Sequence, residues 1–115
     1  MSYVDGMVAA VPTARKKEYA EHVRASAALF KEFGASECVD TWGDNVPEGK
    51  VTDFRRAVQA RPDETIVLSW ITWPDKAARD AAWEQLMQDP RMAKMEMPFD
   101  GKRMIYGGFE SLNGG

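Results

Sequence analysis

Two stretches of this chain read as strands that are apolar on both sides, and such strands need cover above and below. The first spans residues 3–11. Its alternating sets are Val4, Gly6, Val8, Ala10 and Tyr3, Asp5, Met7, Ala9, Val11, and neither set is clearly polar. The second spans residues 65–73 and is rich in Ile, Val, Leu, Thr and Trp. In a chain of 115 residues, one layer of helices covers one face of such a sheet. The other face must meet something else.

The intervening segments supply the helices. Pro12-Thr13 stops the first strand, and Thr13 is expected to cap the helix that follows. Tyr19, Val23, Ala27 and Phe30 recur at helical spacing while Arg15, Lys17, Glu21, Arg24 and Lys31 point elsewhere. Gly34 ends this helix as a left-handed cap. Residues 36–44 read as a strand with Cys38, Val39 and Trp42 as apolar members, and residues 52–60 fit either a short helix capped by Thr52 or a hairpin strand. Asp75 caps a second long helix with Ala78, Ala82 and Leu86 on one stripe. Asp89-Pro90 opens another turn or two, to about residue 95. An Asp100-Gly101 turn leads to a last strand over 103–110, and residues 113–115 read as a frayed tail.

The order is β-α-β-(short element)-β-α-β, the split βαβ pattern of a ferredoxin-like α+β domain. It predicts a four-stranded antiparallel sheet with two helices on one face and a single domain over residues 1–115. The bare face makes a homodimer the simplest assembly.

Composition excludes several roles. The net charge is −3 with the two signs interspersed, so no basic stripe suggests nucleic-acid binding. No apolar run approaches the roughly 20 residues that span a bilayer, and the opening reads as strand, not as a secretory leader. One cysteine forbids an internal disulfide, and the expected location is cytoplasmic. With His22 as the only histidine and Cys38 as the only cysteine, neither metal nor cofactor is expected.

A few residues are candidates for chemistry. His22 sits at the edge of the first helix's apolar stripe, where it is either a half-exposed helix residue or a pocket-lining one. Cys38 reads as a small buried hydrophobe. Trp42, Trp70, Trp73 and Trp83 are core members or walls of an aromatic cavity. Asp44 and Arg103 fall at the same end of the sheet on opposite edges, so they meet only across two subunits, or else stand apart as solvated charges. Gly107-Gly108 interrupts the last strand between aromatics, which signals that another backbone, a ring or a ligand approaches closely.

The run Met97-Pro98-Phe99-Asp100-Gly101-Lys102-Arg103-Met104-Ile105-Tyr106-Gly107-Gly108-Phe109-Glu110 resembles the signature of the DUF1428 family, together with Val67-Leu68-Ser69-Trp70 and Cys38-Val39-Asp40-Thr41-Trp42-Gly43-Asp44. The resemblance implies a ferredoxin-like domain pairing into a dimeric α+β barrel, and it carries no reaction with it. Barrels of that kind include cofactor-free monooxygenases, haem-degrading enzymes, isomerases and ligand sensors. The Asn-Trp-His constellation of the haem-degrading members has no residue-by-residue match here, so that site is not transferred.

The expected function is therefore that of a small soluble dimer holding a small organic ligand in an aromatic pocket between sheet and helices. Trp42, Asp44, Trp70, Arg103 and Tyr106 are its expected ligand-binding residues, with Arg103 pairing an anionic group. The alternatives are a monooxygenase-like or isomerase-like enzyme with Asp44 or His22 accepting a proton, and a structural dimer without a pocket.

Overall fold

The two strands apolar on both sides become the centre of one sheet. The computed structural model describes residues 2–114. Strand β1 (Tyr3–Pro12) leads through a 3-10 turn into helix α1 (Lys16–Glu32), then β2 (Glu37–Asp40), a one-turn α2 (Phe54–Ala57) and β3 (Glu64–Trp73). Helices α3 (Lys76–Leu86) and α4 (Pro90–Lys94) follow, and β4 (Ile105–Glu110) closes the chain. β1 and β3 pair antiparallel from Tyr3↔Trp73 to Pro12↔Glu64. β2 flanks β3 and β4 flanks β1, so the order is β2-β3-β1-β4 and every pair is antiparallel.

Alternation sorts the core. On the helix side, Ala9, Val11 and Val67 pack with Tyr19 of α1, while Trp73 packs with Leu29, Ala82 and Leu86. Leu86 is fully buried, which contributes roughly 2–3 kcal/mol. On α1, Tyr19 and Leu29 are buried while Lys17, Glu21, Arg24 and Lys31 are exposed, as is Arg15 in the turn before it.

The far face is less bare than the strand pattern alone implies. The connection between β2 and β3 folds back over one end of it, where Val58 is buried with Ala10 and Ile66, and Val46 and Ala60 pack alongside. Beyond that cover, Val8 lies between Leu68 and Ile105 in register. Leu68, Ile105 and Phe109 remain 39%, 44% and 59% exposed.

Local chemistry settles the ends. Asp75 accepts from the Ala78 N–H and Asp89 from the Arg91 N–H ahead of Pro90. Gly34 takes φ +110° after α1, where a side chain is strained. The short element is helical, and Asp53 rather than Thr52 caps it through the Arg56 N–H. Thr13 does not cap α1: its hydroxyl bonds the Thr65 hydroxyl at 2.7 Å, and a 3-10 turn intervenes. β2 is shorter than expected, although Thr41 and Gly43 still donate to the Leu68 and Ile66 carbonyls. β4 starts at Ile105 because Gly101–Arg103 form a 3-10 turn, tied by the Asp100 carboxylate to the Lys102 N–H. Of the expected tail, Gly115 lies outside the described residues.

The paired glycines serve opposite faces. The Phe109 ring lies against both Gly107 and its cross-strand partner Gly6, 3.4 Å from where a Cβ would stand on either. On the helix side, a Cβ on Gly108 would fall 2.8 Å from Cε2 of Tyr3. The close approach is made by rings of the same chain. Among the described residues, no helix is long and apolar enough to cross a membrane.

Candidate functional site

Between the helix layer and the sheet lies a cavity of about 690 Å³. That volume is within the range of small-molecule pockets, roughly 300–1,000 Å³. Met7, Met87, Met92, Met95, Met97 and Met104 line it, six of the chain's seven methionines, together with the rings of Phe30, Trp83 and Phe99. The segment around α4 brings three of these sulfurs over the sheet, which is the adaptable surface that a cluster of methionines provides.

One polar group at the cavity is fully matched. Asp5 of β1 accepts from Trp73 Nε1 and Trp83 Nε1, both at 2.9 Å, and from Arg79 Nη2 at 2.8 Å and Nε at 3.1 Å. Arg79 also bonds Asp80 and lies over the Tyr3 ring, and its carboxylate partners push its pKa up. This is a structural anchor between sheet and α3, with a forked, charge-assisted geometry.

The other polar corner is unmatched. Tyr19 of α1 and Ser69 of β3 line the cavity, and both hydroxyl oxygens are buried without a hydrogen-bond partner. Asp40, directly across from Ser69 in register, stands at the exposed edge, and His22 lies one helical turn from Tyr19. Burial raises the Tyr19 and Asp40 pKa values, partly offset by the neighbouring Ser69 hydroxyl. Burial lowers His22, which holds the imidazole neutral at pH 7. Phe99 walls this corner with its ring centre 6.0 Å from that of Tyr19, and Trp42 packs on Tyr19 at the same separation from the core side.

The residues singled out from the sequence do not all converge. His22, Trp70 and Tyr106 border the cavity. Alternation turns the Trp70 indole to the opposite face, where it donates to Glu37 at 3.4 Å. Trp42 packs against the Ala9–Val11–Val67 cluster under the Lys16 ammonium. Asp44 borders a separate depression of about 210 Å³ with Arg55 and Glu64. Arg103 bonds both Glu64 oxygens at 2.7 Å, the Asp100 carboxylate and the Gln59 carbonyl, so its donors are engaged within the chain and are not directed at Asp44. Cys38 is half-buried, its thiol near the Ala27 carbonyl and its pKa raised by burial. No group of three His, Cys, Asp or Glu among the described residues is arranged to hold a metal ion.

Tyr19, Ser69 and Asp40 were not legible as a group, because they come from three elements. A signal did exist: Ser69 is a polar residue in an otherwise apolar stretch of strand, as Asp5 is in β1.

Fold and cavity define a mixed α+β protein whose helices and four-stranded antiparallel sheet flank a mostly apolar, partly open cavity with one unmatched polar corner. The chain belongs to the family described as "Protein of unknown function (DUF1428)", whose model matches residues 2–101. It is 57% identical over 114 residues to "Uncharacterized protein YbaA" of Escherichia coli strain K12, covering 97% of each chain. The same identity and coverage hold for the YbaA proteins of Escherichia coli O157:H7 and Shigella flexneri.

Proposed function

We propose that this protein is a small-molecule binder that holds an apolar organic ligand between sheet and helices. The observation that carries the reading is the 690 Å³ cavity with its methionine and aromatic lining and a few polar groups at one corner. The proposal treats residues 1–115 as one cytoplasmic domain. It also takes the chain as a ferredoxin-like unit that pairs through the open part of its far face into a dimeric α+β barrel. The antiparallel order β2-β3-β1-β4 and the exposed Leu68, Ile105 and Phe109 support that assembly.

Titration with the neutral dye Nile red tests the binding reading. One dye per chain is expected, with a blue-shifted emission. Val23 borders the cavity, so Val23→Trp should fill it and remove the signal, whereas Leu68→Glu on the far face should leave it. Loss in Leu68→Glu alone would assign the dye to the sheet face and end the reading.

A proton-transfer enzyme is the second reading. Its supporting observation is His22, held neutral on the cavity wall and so able to accept a proton at pH 7.

A further inference from the structure

We infer that the cavity selects a neutral aromatic compound carrying a hydroxyl group, a phenol in chemical class, whose oxygen is received at Tyr19 and Ser69. The inference deepens the binding reading above and rests on it.

Charge excludes an anionic ligand. The charged residues bordering the cavity are Asp5, Arg79 and Asp40. Arg79 is occupied by Asp5 and Asp80, which leaves it no free fork for a carboxylate. The charge partner of Asp40 is His22, whose pKa burial lowers, so the imidazole offers little positive charge at pH 7. An anion entering this corner meets repulsion and no countercharge. A hydroxyl meets partners of both kinds: donors in Tyr19 and Ser69, and acceptors in Asp40 and His22.

The two orphan hydroxyls give the site its second support. A buried hydroxyl without a partner is costly, and native proteins keep few of them. Tyr19 and Ser69 are 3% and 6% exposed, and neither oxygen makes a well-formed hydrogen bond, while Ser69 stands close enough to Tyr19 and Asp40 to lower the pKa of both. Their oxygens present almost no surface in this conformation, so engagement takes a rotation about the single χ1 of Ser69, whose hydroxyl neighbours that of Tyr19, and the swing opens both to the guest. The Phe99 ring lines the same corner and offers a face to a planar guest.

The experiment compares three ligands of one shape by calorimetry at pH 7: naphthalene, 2-naphthol and 2-naphthoate. 2-Naphthol should bind roughly three- to tenfold more tightly than naphthalene, the worth of one net hydrogen bond, and 2-naphthoate should bind most weakly. The ratio of naphthol to naphthalene affinity should fall toward one in Tyr19→Phe and in Ser69→Ala. Both variants remove an unsatisfied buried group, so their melting temperatures should hold or rise, which separates lost recognition from lost fold. Equal affinity for naphthalene and 2-naphthol, tighter binding of 2-naphthoate, or an unchanged ratio in both variants would overturn the inference while leaving an apolar pocket in place. Failure of all three ligands would remove the binding reading and this inference together.

Discussion

Trp73 and Trp83 donate their indole N–H groups to the same oxygen of Asp5, each at 2.9 Å, although one is on the sheet and the other on α3. The other Asp5 oxygen accepts Arg79. An amide at this position offers one acceptor where the carboxylate offers two, and places a donor against the remaining donors. Asp5→Asn should therefore cost roughly 3 kcal/mol or more, since it leaves a half-buried guanidinium without its charge partner. Urea unfolding measures the loss; a change under 1 kcal/mol would mean that the anchor is dispensable.

Glu64 and Arg103 set a pH dependence. The Arg103 hydrogen bonds hold the Glu64 carboxyl below the usual glutamate range. A carboxylate with a depressed folded pKa contributes stability that is fully present above its unfolded value, about 4.3, and is lost as pH falls through the folded value. The stability gap between the parent and Glu64→Gln should thus be widest at pH 7 and close in acid below about pH 4. Arg103→Met should destabilise more than Arg15→Met, whose Glu18 partner is 59% exposed.

Gly108 should tolerate no branched side chain. A Cβ there meets the edge of the Tyr3 ring, which is held under Arg79. Gly108→Val should lower stability by roughly 1–3 kcal/mol, whereas Gly107→Ala meets Phe109 at 3.4 Å and should cost less. Tyr3→Ala combined with Gly108→Val should recover part of the loss. Additive effects in that cycle would separate the two residues.

Assembly is read most directly from mass. Light scattering after size exclusion should give a particle near twice 12.9 kDa at micromolar concentration. Leu68→Glu, which puts a charge in the middle of the open apolar row, should shift it toward the single chain. A parent particle of 12.9 kDa would refute the dimer.

The elements were legible where chemistry is local. The two-sided apolar strands, the Asp75 and Asp89 caps and the Gly34 stop each depend on neighbours within a few residues, and each appears as read. Thr13 failed as a cap because a distant residue, Thr65, takes its hydroxyl. Arg103 was read toward a ligand or toward Asp44 of a second subunit; its partner within the chain, Glu64, lies 39 positions away and only the fold brings it near. The glycine pair was rightly read as a place of close approach, while the rings that approach, Tyr3 and Phe109, could be named only from cross-strand register. A cavity between sheet and helices was expected from the aromatic residues. Its polar corner was not, since Tyr19 had every mark of an ordinary stripe residue.

A chamber walled by six thioethers has no outline of its own. Each unbranched chain swings about three bonds, so these walls can repack. The same sulfurs expose the chamber to oxidants. Sulfoxide formation turns a soft oily wall into a polar one, and Met87 and Met97, 75% and 52% exposed, are where that change begins.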